Sequence, residues 1–242
     1  MNAIHINGLT KQYKDVLAVD NLSLSIEKGE LFSLLGVNGA GKTTTIKMLS
    51  CLTQATKGDA FLLGKSINDD PNEVKSFIAV SPQETAIARG LSVRENLEFM
   101  CGIYGFSKEK REAKITELSE ALSLKEVMSK KANKLSGGYA RRLSIAMALI
   151  SEPQILFLDE PTLGLDVIAR SDLWDIIRSL KGKVTIILTT HYMEEAEELS
   201  DRIGIMKDGR LLICDTPEAI KLQTNESSIE KAFIKVVKEG AK

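Results

Sequence analysis

A glycine-rich loop at residues 36–43 restricts the fold of this 242-residue chain more than any other feature. Its sequence, Gly-Val-Asn-Gly-Ala-Gly-Lys-Thr, matches the pattern G-x-x-x-x-G-K-[ST] in full. An apolar run at residues 31–35 precedes it, and a helical pattern follows it to about Leu52. A glycine turn that arose by chance is the alternative, but it leaves both flanking elements unexplained. The loop therefore predicts an α/β fold in which a buried strand and a helix flank a phosphate-binding site.

Short apolar segments predict the strands of this fold. Leu22, Leu24 and Ile26 alternate with polar residues, which indicates a half-buried strand. Together with residues 4–6 it predicts an antiparallel layer near the N-terminus. Further strands are predicted at residues 61–63, 78–80, 155–158, 184–188, 203–206 and 211–214, the last two forming a hairpin around Asp208-Gly209.

Helical patterns dominate residues 92–150 and return at the end of the chain. Ser92 and Glu95 form a capping box. The segment 136–150 carries one apolar face, made of Leu143, Ala146, Met147 and Ile150. Thr216-Pro217 begins a short helix, and Ser228 begins a final one. The expected organisation is one domain over residues 1–215, with a helical insert at about 84–152, followed by a helical tail at 216–242.

Charge and cysteine content argue against several classes of protein. Lys and Arg number 32 against 33 Asp and Glu, so the basic excess typical of nucleic-acid binders is missing and no nucleic-acid partner is expected. Cys51, Cys101 and Cys214 have neither metal-ligand nor disulfide spacing, which favours a reducing compartment. We expect no signal peptide, and apolar runs such as 186–188 are too short to span a bilayer. A soluble chain that reaches a membrane only through a partner is therefore expected.

The end of the phosphate loop supplies a cation and a hydroxyl. Lys42 is expected to reach the β- and γ-phosphates of a nucleotide, and the Thr43 hydroxyl to ligate Mg²⁺. Asp159 and Glu160 end the buried strand at 155–158, where ligands bind in open parallel sheets. Asp159 suits a Mg²⁺ contact, and Glu160 is placed to orient and deprotonate the attacking water. The alternative is that both acids only cap the next helix.

Three isolated side chains are weaker candidates. His191 follows the strand at 184–188 and could hold a γ-phosphate oxygen or the water, although a lone histidine is often structural. Gln83 follows the strand at 78–80 and could touch Mg²⁺ and the water, or be an ordinary polar loop residue. Tyr13 precedes the first core strand and could stack on adenine, or pack at the surface.

A second anion-binding pattern lies at Ser136-Gly137-Gly138, at the start of a predicted helix. A hydroxyl, free N–H groups and the helix dipole all favour an anion there. A plain N-cap explains Ser136 but not a glycine pair, which destabilises a helix. Because the chain already has one phosphate loop, we expect this segment to read the γ-phosphate of a nucleotide bound by another copy.

These motifs together resemble the ATP-binding-cassette (ABC) family, specifically the ATPase subunit of an ABC transporter. The resemblance runs from Tyr13 to the Asp208 hairpin, with Walker A at 36–43, the signature at 135–138 and Walker B ending in Asp159. It implies a P-loop NTPase fold with a mainly parallel core sheet, an N-terminal antiparallel β-subdomain and an inserted α-helical subdomain. It also implies that ATP and Mg²⁺ are the cofactors and that the chain is an ATPase.

The resemblance transfers site roles residue by residue. The implied catalytic residues are Glu160, His191, Lys42 and Gln83, and the implied Mg²⁺ ligands are Thr43, Gln83 and Asp159. The implied ATP-binding residues are Tyr13, Gly36, Val37, Asn38, Gly39, Ala40, Gly41, Lys42, Thr43, Thr44, Ser136, Gly137, Gly138 and Asp166.

The resemblance also implies partners. Two ATPase subunits, identical or closely homologous, would form a head-to-tail dimer with two ATPs between one Walker A and the other signature. The helical insert and the Gln83 loop would contact a membrane permease, which implies a cytoplasmic position on the inner face of the cell membrane. Residues 43–49, 91–97 and 189–196 resemble the drug- and polysaccharide-exporter branch of bacteria and archaea.

Two departures and two alternatives accompany the resemblance. Tyr139 stands where glutamine is usual, and Val167 stands where proline is usual. Neither change removes a phosphate ligand, so we expect activity to survive, with the dimer interface affected most. A soluble ABC ATPase without a permease and an importer subunit are the alternative functions.

Overall fold

The computed structural model describes residues 2–239, which form two β-sheets and the helices packed around them. The strands are β1 (Asn2–Tyr13), β2 (Val16–Glu27), β3 (Leu31–Gly36), β4 (Lys57–Leu62), β5 (Lys65–Ser66), β6 (Ile78–Ser81), β7 (Ile155–Asp159), β8 (Thr185–Thr190), β9 (Arg202–Lys207) and β10 (Arg210–Asp215). The α-helices are α1 (Lys42–Leu49), α2 (Pro71–Phe77), α3 (Val93–Ile103), α4 (Lys108–Ala121), α5 (Gly137–Leu149), α6 (Val167–Leu180), α7 (Met193–Leu199), α8 (Pro217–Thr224) and α9 (Ile229–Glu239). Short 3-10 turns lie at Lys125–Val127 and Ala132–Lys134.

The larger sheet has six strands in the order β10-β9-β3-β8-β7-β6. Its neighbouring strands are parallel except for β10, which pairs antiparallel with β9. Strands β3, β7 and β8 are buried along their whole length, which explains why the centre of each is apolar apart from Ser33 of β3. The predicted parallel core and its terminal hairpin are confirmed. Because β3, β8 and β7 are neighbours, the loops after Gly36, Asp159 and Thr190 meet at one edge of the sheet.

The smaller sheet has the order β2-β1-β4-β5 and confirms the predicted N-terminal antiparallel layer. Leu22, Leu24 and Ile26 are buried, as their alternation predicts. Both β1 and β2 are longer than the apolar signals indicated, since polar residues at their ends continue the pairing across several bulges. The buried face of this sheet shares a core with β7 through Ile4, Ile26 and Phe157.

Along the chain, helices α3, α4 and α5 come after β6 and before β7. The predicted capping box is present: the Glu95 N–H donates to Ser92 Oγ at 3.2 Å, and the Ser92 N–H donates to Glu95 Oε2 at 2.6 Å. The three helices and the central sheet share one apolar core, which includes Leu97, Leu118 and Leu143. The boundaries 84–152 for this insert remain a prediction.

Helix α5 is enclosed on more than one side. The predicted apolar face is buried, but so are Arg141, Arg142 and Ser144. The physical reason is that α5 contacts β6, α3, α4 and α6, so it has no fully solvated face. Its polar side chains therefore need partners inside the protein.

The last two helices pack against the central sheet. Thr216 caps α8 as predicted, because its Oγ1 accepts a hydrogen bond from the Ala219 N–H at 3.1 Å. Ile220 and Phe233 share a core with Leu35 of β3. The predicted tail limits of 216–242 remain a prediction, and residues 1 and 240–242 lie outside the described range. Within residues 2–239, no helix combines the length and the apolar content that crossing a bilayer requires.

Candidate active site

The phosphate loop joins the end of β3 to the start of α1 in a tight turn that requires glycine. Gly41 has φ of 102°, and a Cβ there would lie 2.5 Å from the Ala18 carbonyl oxygen. A Cβ on Gly36 would lie 2.7 Å from the Met206 carbonyl oxygen. The loop is therefore held between β2 and β9, with the N-terminus of α1 directly behind it.

Lys42 lies buried where the loop meets α1. Its Nζ donates hydrogen bonds to the carbonyl oxygens of Gly36, at 2.8 Å, and Val37, at 3.3 Å. The same Nζ lies 3.4 Å from Glu160 Oε1, and both side chains are more than nine-tenths buried. The Lys42 ammonium group thus links the phosphate loop to the acidic end of β7.

Asp159 accepts hydrogen bonds from two hydroxyl groups. Thr43 Oγ1 donates to Asp159 Oδ1 at 3.2 Å, and Thr189 Oγ1 donates to the same oxygen. A hydroxyl beside a carboxylate is the oxygen-rich donor set that Mg²⁺ uses next to phosphates. Residues 2–239 contain no group of three or more His, Cys, Asp or Glu side chains able to hold a metal. The Thr43–Asp159 pair therefore fits a Mg²⁺ that takes its other ligands from phosphates and water.

Glu160 follows Asp159 with an unusual backbone. Its φ of 46° lies in the left-handed region, which costs a residue other than glycine about 1–3 kcal/mol. The Glu160 N–H donates to both the carbonyl oxygen and the Oγ1 of Thr189, each at 3.1 Å. These bonds fix the turn, and they direct the buried carboxylate of Glu160 toward Lys42 and His191.

His191 follows β8 and lies beside Glu160. Its Nδ1 is 2.8 Å from Glu160 Oε2, and its side chain is 29% exposed. The ring also packs at 4.1 Å, between centroids, on Tyr192. A partly exposed imidazole in contact with a buried carboxylate is an arrangement that can position a water molecule and move a proton.

One cleft of about 640 Å³ connects several predicted residues. Its lining comprises Tyr13, Val16, Leu17, Ala18, Asn38, Gly39, Ala40, Gly41, Lys42, Thr43, Thr44, Gln83, Glu160 and Asp208. This volume suits a nucleotide, since small-molecule sites commonly span about 300–1,000 Å³. Tyr13 is 42% exposed in this lining, where a base could stack on it, and Gln83 and Glu160 line the same cleft.

The Ser136-Gly137-Gly138 segment and Asp166 are not among the residues that line this cleft. Ser136 is exposed and caps α5, with its Oγ accepting from the Tyr139 N–H at 3.5 Å. A Cβ on Gly138 would lie 3.1 Å from the Ala169 Cβ, so one glycine of the pair also serves the close approach of α5 to α6. Asp166 caps α6 by accepting from the Ala169 N–H at 2.9 Å. The cleft of a single chain is therefore lined by part of the phosphate loop but not by these two elements.

Sequence reasoning gave no role to Thr189 or Arg141. Thr189 is paired with Asp159 in the register of β7 and β8, and it bonds both Asp159 and Glu160. Its position at the end of a predicted strand parallel to the one carrying Asp159 was the available signal. Arg141 bonds the backbone of the Gln83 loop, and no local pattern marked it.

Sequence comparison relates the chain to curated proteins of one kind. A family model described as "ABC transporter" matches residues 19–163. The chain is 38% identical over 245 residues to the probable multidrug ABC transporter ATP-binding protein YbhF of Escherichia coli, covering 99% of this chain and 42% of that protein. It is 38% identical to the daunorubicin/doxorubicin resistance ATP-binding protein DrrA of Streptomyces peucetius, covering 90% and 67%. It is 41% identical to the Nod factor export ATP-binding protein I of Burkholderia orbicola, covering 90% and 72%.

Solved structures of ABC ATP-binding subunits have a fold similar to that of this chain. An ATP-binding subunit of an ABC transporter matches with a TM-score of 0.85 and 26% identity, over 97% of this chain and 99% of that one. The dimeric ATP-binding cassette MJ0796, in a post-hydrolysis state bound to ADP and Pi, matches with a TM-score of 0.79 and 28% identity, over 88% and 98%. The predicted combination of a mainly parallel core, an antiparallel β-layer and inserted helices is thereby confirmed.

Proposed function

This chain belongs to the ABC transporter family, and we propose that it binds and hydrolyses ATP as the ATPase subunit of an exporter. ATP-binding domains of the family are ATPases. The observation that carries the proposal is the convergence of Lys42, Glu160 and His191 at the phosphate loop, with Asp159 and Thr43 beside them. The chain spans about two fifths of the length of YbhF, so the activity and the partners of the whole protein are also part of the proposal.

Binding begins with the triphosphate in the loop at residues 36–43. Backbone N–H groups of the loop and the N-terminus of α1 receive the phosphate oxygens, and Tyr13 stacks on adenine. When ATP binds, the Lys42 ammonium group releases the carbonyl oxygens of the loop and binds the β- and γ-phosphates from the same position. The new hydrogen bonds are stronger, because both the donor and the acceptor are charged. Thr43, Asp159 and Gln83 would hold Mg²⁺, which would supply positive charge against the phosphate oxygens.

Hydrolysis then requires a base and a water molecule beside the γ-phosphate. Glu160 accepts a proton from the water as its oxygen attacks the γ-phosphorus, and the bond to the β-phosphate oxygen breaks. His191, in contact with Glu160 Oε2, orients the carboxylate and the water. The left-handed backbone at Glu160 has a use in this scheme, because it directs the carboxylate toward Lys42.

We assign Ser136, Gly137, Gly138 and Asp166 to the ATP site of a second copy. Their absence from the lining of the cleft and the exposure of Ser136 support this assignment, as does the likeness to a dimeric cassette. ATP would then close the dimer by bridging the Walker A loop of one copy and the signature of the other. Release of phosphate would allow it to open.

An exposed apolar patch supports a membrane permease as the other partner. Leu52, Phe99, Ile103 and Tyr104 are each 49–67% exposed. Leu52 and Tyr104 line a groove with Pro82, which precedes Gln83. Exposed apolar side chains that cluster on one helix and along a groove are typical of interaction sites. A peripheral position on the cytoplasmic face of a membrane follows, and the names of the relatives favour export over import.

The decisive experiment is Glu160→Gln in the full chain. The amide cannot accept the proton, so we expect ATP turnover to fall by at least about 100-fold while an ATP-bound dimer accumulates. Phosphate release and light scattering with ATP measure the two effects. Glu194→Gln is the matched control, since Glu194 is exposed and outside the cleft. Turnover that persists in Glu160→Gln would contradict the assignment of the base.

A further inference from the structure

Arg141 is a deeply buried cation whose partners are backbone carbonyl groups. It is 4% exposed. One terminal nitrogen donates to the Pro82 carbonyl oxygen at 2.6 Å, and the other donates to the Gln83 carbonyl oxygen at 2.6 Å. The second nitrogen also lies 3.5 Å from the Glu160 carbonyl oxygen. A guanidinium group is suited to this task because its planar fork can engage two successive acceptors.

Burying the positive charge of Arg141 costs free energy unless hydrogen-bond acceptors surround it. Burial lowers the pKa of Arg141, and the nearby carboxylates of Asp159 and Glu195 partly offset that effect. An unpaired buried charge is strongly unfavourable, so the loop carbonyls must remain close to the guanidinium. The position of the Gln83 backbone is therefore coupled to the position of helix α5.

A second polar contact ties the same face of α5 to the same loop. Ser144 lies one turn after Arg141, and its Oγ is 3.0 Å from Ser81 Oγ in a fully buried pair. Ser81 ends β6, immediately before the segment that carries Pro82 and Gln83. Helix α5 is thus attached at the point where the Gln83 loop leaves the sheet. The same helix is capped by Ser136, which lies five residues before Arg141 and which we assign to the ATP site of the partner copy.

We propose that Arg141 is a positioning residue. It fixes the positions of the Gln83 loop and the Glu160 turn relative to helix α5, which is capped by Ser136. Movement of α5 then displaces Gln83 relative to the attacking water, and the two halves of a shared ATP site are linked through one side chain. The inference rests on the proposed ATPase function. A purely structural role would affect folding stability but would not separate binding from turnover.

The test uses Arg141→Lys and Arg141→Gln in the full chain, with kcat and KM for ATP measured alongside thermal unfolding. Lysine keeps the buried charge but cannot span both carbonyls, and glutamine removes the charge. We expect kcat to fall about 10- to 100-fold in both variants, least for lysine, because small displacements of catalytic groups have effects of this size. KM should change less than about threefold, since the phosphate loop is unaffected.

Hydrogen exchange gives a second, structural measurement on the same variants. We expect faster exchange at residues 83–89 in Arg141→Lys, with α1 and β3 unchanged. Arg202→Lys is the matched control, because Arg202 also binds a backbone carbonyl, that of Ser25 at 3.0 Å, outside the cleft. It should leave both kcat and this exchange unchanged.

The possible outcomes distinguish a failure of the role proposed for Arg141 from a failure of the proposed ATPase function. Absence of ATPase activity in the wild-type chain would remove the proposed function. Normal wild-type activity with unchanged kcat and unchanged loop exchange in Arg141→Lys would overturn the role of Arg141 alone. A parallel loss of ATP binding and thermal stability, without a selective fall in kcat, would likewise reduce Arg141 to a folding residue.

Discussion

Glu195 is a carboxylate that the fold buries completely, in the first turn of α7. Trp174 Nε1 donates to Glu195 Oε1 at 3.1 Å, which attaches α7 to α6. Burial raises the pKa of the Glu195 carboxyl, although the Trp174 hydrogen bond and the charge of Arg170 act in the opposite direction. The folded chain therefore holds this proton more tightly than the unfolded chain does.

The stability contributed by Glu195 is expected to depend on pH. It is fully present below the unfolded pKa and is lost as pH rises through the higher folded pKa. Glu195→Gln, which remains neutral, should therefore gain melting temperature relative to wild type as pH rises from 5 to 8. Glu194→Gln is the control, because Glu194 is exposed on the same helix. A melting-temperature difference that stays constant with pH would contradict this account.

Local sequence was sufficient for residues whose neighbours in the chain define their role. Lys42 and Thr43 belong to a loop with fixed spacing, so their place at the start of α1 followed from the motif. Thr189 could not be assigned in this way, because its bonds to Asp159 and Glu160 depend on the pairing of β7 with β8. Such pairing joins residues about thirty positions apart, so the position of Thr189 at the end of a predicted strand does not by itself reveal its hydrogen-bond partners.

Helix α3 illustrates an element whose start is encoded in four residues. Ser92 and Glu95 satisfy each other's backbone N–H groups in the capping box. Helices without comparable sequence patterns were not anticipated, among them α2 and α7, each only seven residues long. Such short helices depend on tertiary packing more than on propensity. Helix α6 was missed although Asp166 gives it an N-cap.

Ser92→Ala should destabilise the protein through the start of α3. Loss of an N-cap hydroxyl commonly costs about 0.5–2 kcal/mol, and here it also removes one half of the capping box. The free energy of unfolding from urea titration measures the effect. Ser129→Ala is the control, since Ser129 is exposed and should change stability by less than about 0.5 kcal/mol. Equal effects in the two variants would show that the box contributes nothing to global stability.

At the scale of the whole molecule, the proposed function divides each ATP site between two surfaces of the chain. The phosphate loop opens into the cleft with Tyr13 and Gln83, whereas Ser136 lies exposed at the start of α5. Two copies arranged head to tail would bring these surfaces together twice. A variant in either surface should then be complemented by a partner with the opposite defect.

Mixing Ser136→Asp chains with Lys42→Ala chains tests this division. Aspartate keeps the N-cap of α5 but places a negative charge opposite the phosphate, so each variant should be inactive by itself. Purified heterodimers should recover about one competent site in two, measured as ATP turnover per dimer. The control heterodimer joins a wild-type chain to a chain with both substitutions, which leaves both sites defective. Equal turnover in the two heterodimers would contradict a shared site.

The sequence by itself predicted the parallel core, the phosphate loop and the places of β3, β7 and β8 to within two residues at each end, because apolar runs, glycine spacing and capping are visible in the local sequence. Only the tertiary structure decided how these ends combine: the Thr189–Asp159 contact, the Glu160–His191 pair and the burial of Arg141 against two loop carbonyls. These contacts join segments separated by up to about sixty residues. They arise when packing encloses α5 and aligns the sheet, since a buried polar group must then find its partner wherever the fold brings one.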